Sequence, residues 1–219
     1  MPAQDLEVAV SVYDGVSTLS ATAAIWQLPR LRPASWQDVE VLNEGFWDLV
    51  DAASAGEVVD DKLALLTDQV KRLEYEELLG FQRCLGEAHA ELDNAGLYGA
   101  ATALMGLVSD DVFESVRSWV ILHGRAAATR VLEDPDSLAD LGLTDEDEIG
   151  ASESLVFVAD QVHEERFGVP LTGRHPDLDF LVNHEPSAGG LPSARVLKQL
   201  YPRCSAVKRW RLPGWPFRR

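Results

Sequence analysis

The chain is short of cysteine, lysine and long apolar runs, and each shortage closes off a class of protein. Cys84 and Cys204 are the only cysteines in 219 residues, so neither a disulfide framework nor a four-cysteine zinc site can be built. That usage suits a reducing compartment. The uncharged stretch Gly15 to Pro29 is too short and too polar to span a bilayer. No basic and then apolar leader precedes a cleavage-like site, and the expectation is a cytoplasmic protein. No phosphate-cradling glycine loop and no nucleophile-elbow pentapeptide occurs, so the common nucleotide and hydrolase chemistries lack their usual support. Lysine stands only at positions 62, 71, 198 and 208, the remaining basic residues being arginine, as expected of a GC-rich bacterial genome.

What the chain does have is acid, unevenly placed. The net charge is −17. Leu191 to Arg219 holds eight basic residues and no acid, leaving 11 basic against 36 acidic residues in the rest. The acidic body repels phosphate backbones, which argues against a nucleic-acid reader there. The basic end carries Trp210, Trp215 and Phe217 among Lys208, Arg209, Arg211, Arg218 and Arg219. Such a tail can dock on an acidic protein surface, stack on bases or enter a membrane interface. The nearest large acidic surface is the protein's own, which favours self-docking or a second copy, through Arg209, Trp210, Arg211, Trp215 and Phe217.

Periodicity reads as mainly helical. Leu6, Val8, Val10 and Val12 alternate with polar or small residues, and Asp14-Gly15 follows, which predicts a small N-terminal hairpin reaching to Ile25. Ser35 can cap a helix with Val39, Leu42, Phe46, Leu49 and Val50 on one face, split at Gly45. Leu63 to Leu73 and Leu78 to Leu92 repeat at helical spacing. Leu97 to Met105 is nearly free of charge and should be a buried, central helix. Ser109 caps a helix expected to run to about Arg130, and Asp134-Pro135 opens a short one to Leu141. Glu133 to Glu153 holds nine acids and no base and reads as a solvated loop. Ser152 begins a helix closed by Gly168, with Pro170 beyond. The run Phe180 to Val182 could add a strand, and Ser193 to Tyr201 a last helix. The expected architecture is a bundle of six or seven helices with an N-terminal β hairpin and an irregular basic C-terminal extension, divided as 1–34, 35–168 and 169–219.

Several groups of residues, in order and spacing, resemble a known family. They are Phe46-Trp47, Phe81-Gln82, Gly99-Ala100-Ala101, Ser109-Asp110-Asp111 with Phe113, Arg117 and Trp119, Gly124-Arg125, and Asp134-Pro135-Asp136-Ser137-Leu138. The family is the bacterial domain-of-unknown-function family 4240, and the likeness covers roughly residues 44–167. It implies an actinobacterial lineage and no established activity. The chain departs from the family pattern at Tyr98, where tryptophan is more typical, and at Leu107-Val108, where a small turn is usual.

The densest polar motif is the start of the Ser109 helix. Asp110 and Glu114 lie four apart and Glu114 and Arg117 three apart, close enough to share a small site or a metal. Asp110, Asp111 and Arg117 are accordingly the catalytic candidates, and Asp110, Asp111 and Glu114 the metal candidates. The competing account is structural: a Ser109 cap, aspartates complementing the helix dipole, and a Glu114–Arg117 pair. A second group, His175, Asp177, Asp179 and His184, offers metal-type ligands in a segment that also reads as a solvated loop. Asp145, Asp147 and Gly150 fail as a calcium loop because Ile149 and Val156 fall where oxygen ligands are needed. His163-Glu164-Glu165 lacks a second histidine and reads as an exposed ion-pairing segment. Cys84 falls on the polar side of its helix, with His89 off its face, so no cysteine–histidine nucleophile forms locally. Two functions stay open: a non-enzymatic interaction or regulatory protein, or an enzyme or small-molecule binder built on Asp110, Asp111 and Arg117. The residues name no cofactor.

Overall fold

The computed structural model describes residues 36–143, 145–181 and 192–207, with the side chains of 36–43 and 146 outside that description. The chain divides into Met1–Pro33 and Ala34–Arg219; all described residues belong to the second unit. The expected hairpin, His184 and the aromatic tail lie outside them.

Eleven α-helices and no strand occur among the described residues. They are α1 (Trp36–Ala53), α2 (Val59–Val70), α3 (Tyr75–Leu92), α4 (Ala95–Met105), α5 (Asp110–Leu122), α6 (Arg125–Glu133), α7 (Glu146–Ser152), α8 (Val158–Phe167), α9 (Leu171–Arg174), α10 (Ala194–Leu200) and α11 (Pro202–Ala206). Three 3-10 segments, Pro135–Leu141, Glu153–Phe157 and Pro176–Leu178, join them. The count exceeds six or seven because segments expected to be loops or single helices are short helices end to end. The helix expected from Ser109 to Arg130 breaks at Gly124, whose φ of +90° is a left-handed conformation that glycine adopts readily. The acid-rich run 133–153 is no loop: it winds into a 3-10 segment and α7, and Ile149 drives α7 onto α5. Gly45 leaves α1 unbroken.

The core is organised around α5. Phe113 and every residue from Ser115 to Leu122 are buried, with Trp119 fully so. This helix touches α1, α2, α3, α4, α6 and α7, which explains why its buried surface runs all round rather than along one stripe. Leu66, Leu78, Leu85, Leu92, Leu97 and Leu138 complete the apolar interior. Packing holds the long helices. The short ones rely on end groups.

Those ends are tied by side chains from distant parts of the chain. Asn94 and Ser109 cap α4 and α5 locally, accepting from Leu97 N at 2.9 Å and Val112 N at 3.3 Å. By contrast α6 is capped by Asp51 of α1, whose Oδ1 accepts from Arg125 N at 2.7 Å. Asp160 of α8 accepts from Thr172 N and Thr172 Oγ1, both at 2.8 Å, and so caps α9. Asp136 accepts from Arg203 N and Cys204 N, both at 2.9 Å, and caps α11. Each carboxylate satisfies helix-end N–H groups that have no partner within the helix. At the far end of α2, Arg166 donates to the carbonyls of Lys71 and Leu73.

Candidate functional site

The structure separates the members of the Ser109 motif. Asp110 and Asp111 occupy the exposed first turn of α5, where their charge faces the positive end of the helix dipole. Arg117, about two turns on, points the other way and is only 4% exposed. Its NH1 donates to the His89 carbonyl at 3.3 Å, in the last turn of α3, and its guanidinium lies 5.3 Å from the Phe113 ring centroid. Burial lowers the Arg117 pKa, while the charges of Asp93 and Glu114 act to raise it. The aspartate pair and the arginine therefore do not face a common space, and Glu114 is the acid of that helix that acts on Arg117.

A buried polar stripe runs along α3 and reaches Arg117 at its C-terminal end. Gln82, Gly86, His89 and Asp93 follow one another at helical spacing along α3. Gln82, His89 and Asp93 are buried. His89 Nε2 and Ser118 Oγ of α5 share a hydrogen bond of 3.2 Å. Gln82 Nε2 reaches the Leu178 carbonyl at 3.5 Å. Phe180 lies over the patch, its ring centroid 5.1 Å from that of His89. A Cβ on Gly86 would stand 2.9 Å from the Phe180 ring, so glycine is what admits it. Among the described residues, Gln82 Oε1 and Arg117 Nε are buried with no hydrogen-bond partner. The spacing 82, 86, 89, 93 was the readable signal, hidden because a polar stripe on a helix normally means solvent. Cys84, expected on that polar side, is buried, and burial, with Glu87 next, pushes its thiol up to about 11.

The second candidate group also disperses. His175 Nε2 pairs with Tyr75 Oη at 2.6 Å. Asp179 accepts from Leu181 N at 3.2 Å, and Asp177 is exposed. No group of three or more His, Cys, Asp or Glu side chains placed to hold a metal occurs among the described residues. His163 is not exposed: it is fully buried, with Nδ1 2.6 Å from the Val169 carbonyl, whereas Glu165 does pair with Lys71 at 2.9 Å. His123 is half-buried, its Nδ1 2.8 Å from the Trp119 carbonyl, and its pKa is lowered chiefly by burial.

Helices α10 and α11 pack on α4, and α11 also on the 3-10 segment Pro135–Leu141. Arg203 meets three carboxylates there: Asp140 at 2.7 Å, Asp136 at 3.4 Å and Asp134. Cys204 is fully buried, and burial with the neighbouring Asp136 charge pushes its thiol up to about 12. Tyr201 is likewise pushed up to about 12, mainly by burial.

No helix among the described residues is long and apolar enough to cross a membrane. The model of one family, described as a protein of unknown function (DUF4240), matches residues 42–165. No curated protein and no solved structure matches the chain.

Proposed function

The chain belongs to the DUF4240 family, and on that footing we propose that it is a cytoplasmic, non-enzymatic interaction or regulatory protein whose acidic helical domain engages another chain. The observation that carries this reading is the division of the Ser109 motif. Its aspartates serve a helix start in solvent, and its arginine is turned into the core to hold the end of α3. A catalytic constellation needs its groups to converge on one reacting atom, and these diverge. Native mass spectrometry of the protein purified from its own host tests the reading. A retained protein chain supports it. A retained metal or small molecule, lost on Asp110→Ala with Asp111→Ala, overturns it.

A small-molecule binder is the second reading, and one observation favours it. Gln82 Oε1 and Arg117 Nε are buried polar atoms without a partner, in a region where polar groups are normally satisfied. A ligand lost on Gln82→Ala and kept in the aspartate variant would place the site beneath Phe180.

A further inference from the structure

Residues 192–207 sit on the rest of the domain in the manner of a bound peptide. α10 and α11 have seven and five residues, far below the length at which a helix stands alone in water. Their shape is therefore imposed by the surface that receives them. That surface recognises them at three places. Asp136 caps α11 by accepting from two backbone N–H groups. Asp134, Asp136 and Asp140 close around the Arg203 guanidinium. Gly99 leaves the space that the Tyr201 ring fills, since a Cβ there would stand 2.8 Å from Tyr201 Cε2 and 2.9 Å from its hydroxyl. Leu197 and Cys204 add the apolar contact, 6% and 0% exposed.

The receiving residues, Gly99, Asp134, Asp136 and Asp140, all lie within the family match 42–165, and the docked residues all lie after it. Charge divides the same way, because Leu191 to Arg219 is wholly basic in its charged residues and the remainder strongly acidic. We propose that α4 and the 3-10 segment Pro135–Leu141 form an exchangeable docking groove, whose partner in trans is the Ser193–Val207 segment of a second copy of this chain. A second copy offers the same tyrosine, arginine and buried cysteine in the same order, so exchange creates every contact that it breaks. The closed monomer is favoured at low concentration because the tethered segment has a high effective concentration. This inference rests on the interaction reading above and names its surface and partner.

Complementation in the full chain tests it. Arg203→Ala leaves the groove intact and spoils the segment; Asp136→Ala spoils the groove and leaves the segment intact. A mixture of the two chains contains an intact pair only between copies, and should yield a heterodimer by native mass spectrometry that neither chain forms alone. A labelled peptide of residues 192–207 should bind the Arg203→Ala chain at least ~10-fold more tightly than wild type, whose groove its own segment fills. A mixture that stays monomeric together with a peptide that does not bind overturns the groove, even if the host protein still carries a partner. Loss of helical circular dichroism in both Arg203→Ala and Arg203→Lys makes the segment part of the fold rather than an occupant, and overturns it too.

Discussion

The carboxylate of Asp136 and the backbone N–H of Cys204 meet at 2.9 Å although 68 residues separate them. Asp136 is 7% exposed and Cys204 fully buried, so the bond is made where water does not compete. Asp51 with Arg125 and Asp160 with Thr172 make long-range caps of the same kind in more exposed surroundings. Three aspartates thus fix helix starts that local sequence leaves uncapped.

Asp136→Ala should be costly. It leaves the N–H groups of Arg203 and Cys204 without their acceptor, for a loss of about 2–3 kcal/mol. Chemical denaturation measures it, and a change below about 0.5 kcal/mol would show that water replaces the cap.

The two ends of the Ser109 motif should differ sharply. Asp110→Ala with Asp111→Ala removes only charge–dipole attraction in an exposed first turn, for less than about 1 kcal/mol. Arg117→Ala strips the donor from the His89 carbonyl and the guanidinium from Asp93 and Glu114, at a cost of about 3 kcal/mol or more. Equal effects in thermal melts of the two variants would contradict the division of roles.

Two glycines are constrained by different means. Gly124→Ala forces a side chain onto a φ of +90° and a Cβ to within 2.6 Å of Asp51 Oδ1, which should destabilise by about 2 kcal/mol or more. Gly99→Ala keeps its backbone but collides with Tyr201. Its loss should appear as faster amide exchange in α10 and α11, with α5 still protected.

Alkaline pH should weaken the fold. Cys84, Cys204 and Tyr201 are raised to about 11, about 12 and about 12, so the folded state holds their protons more tightly than the unfolded chain does. Their contribution is complete below the unfolded values of 9.0 for the thiols and 10.0 for the phenol, and is lost as pH climbs from there toward the folded values. His123, lowered from 6.5, acts oppositely, its contribution fading as pH falls below that value. The melting temperature against pH should show both flanks, and His123→Phe should flatten the acid one. The Cys84 thiol should resist a disulfide reagent until the chain unfolds.

Much of this was legible beforehand. The α2, α3, α4 and α10 segments, the Ser109 cap and the Gly168 stop follow from apolar spacing and end residues, and all of these appear close to where periodicity placed them. Nine acids in 21 residues suggest solvent, whereas Ile149, with Ala151 and Ser152, turns α7 onto the core. Local spacing sets Cys84 and His163 toward solvent and gives His89 no role, yet all three are buried.

The sequence by itself determined the helical class, the acidic body and the family, since these depend on neighbours three or four residues apart or on composition. Only the tertiary structure decided where each polar group points. Arg117 and Asp110 share a helix, yet one faces α3 and the other faces water. Asp136 and Cys204 share nothing local, yet they bond. A side chain's local spacing fixes its angle around a helix, but what lies at that angle is set by packing between segments far apart in the chain.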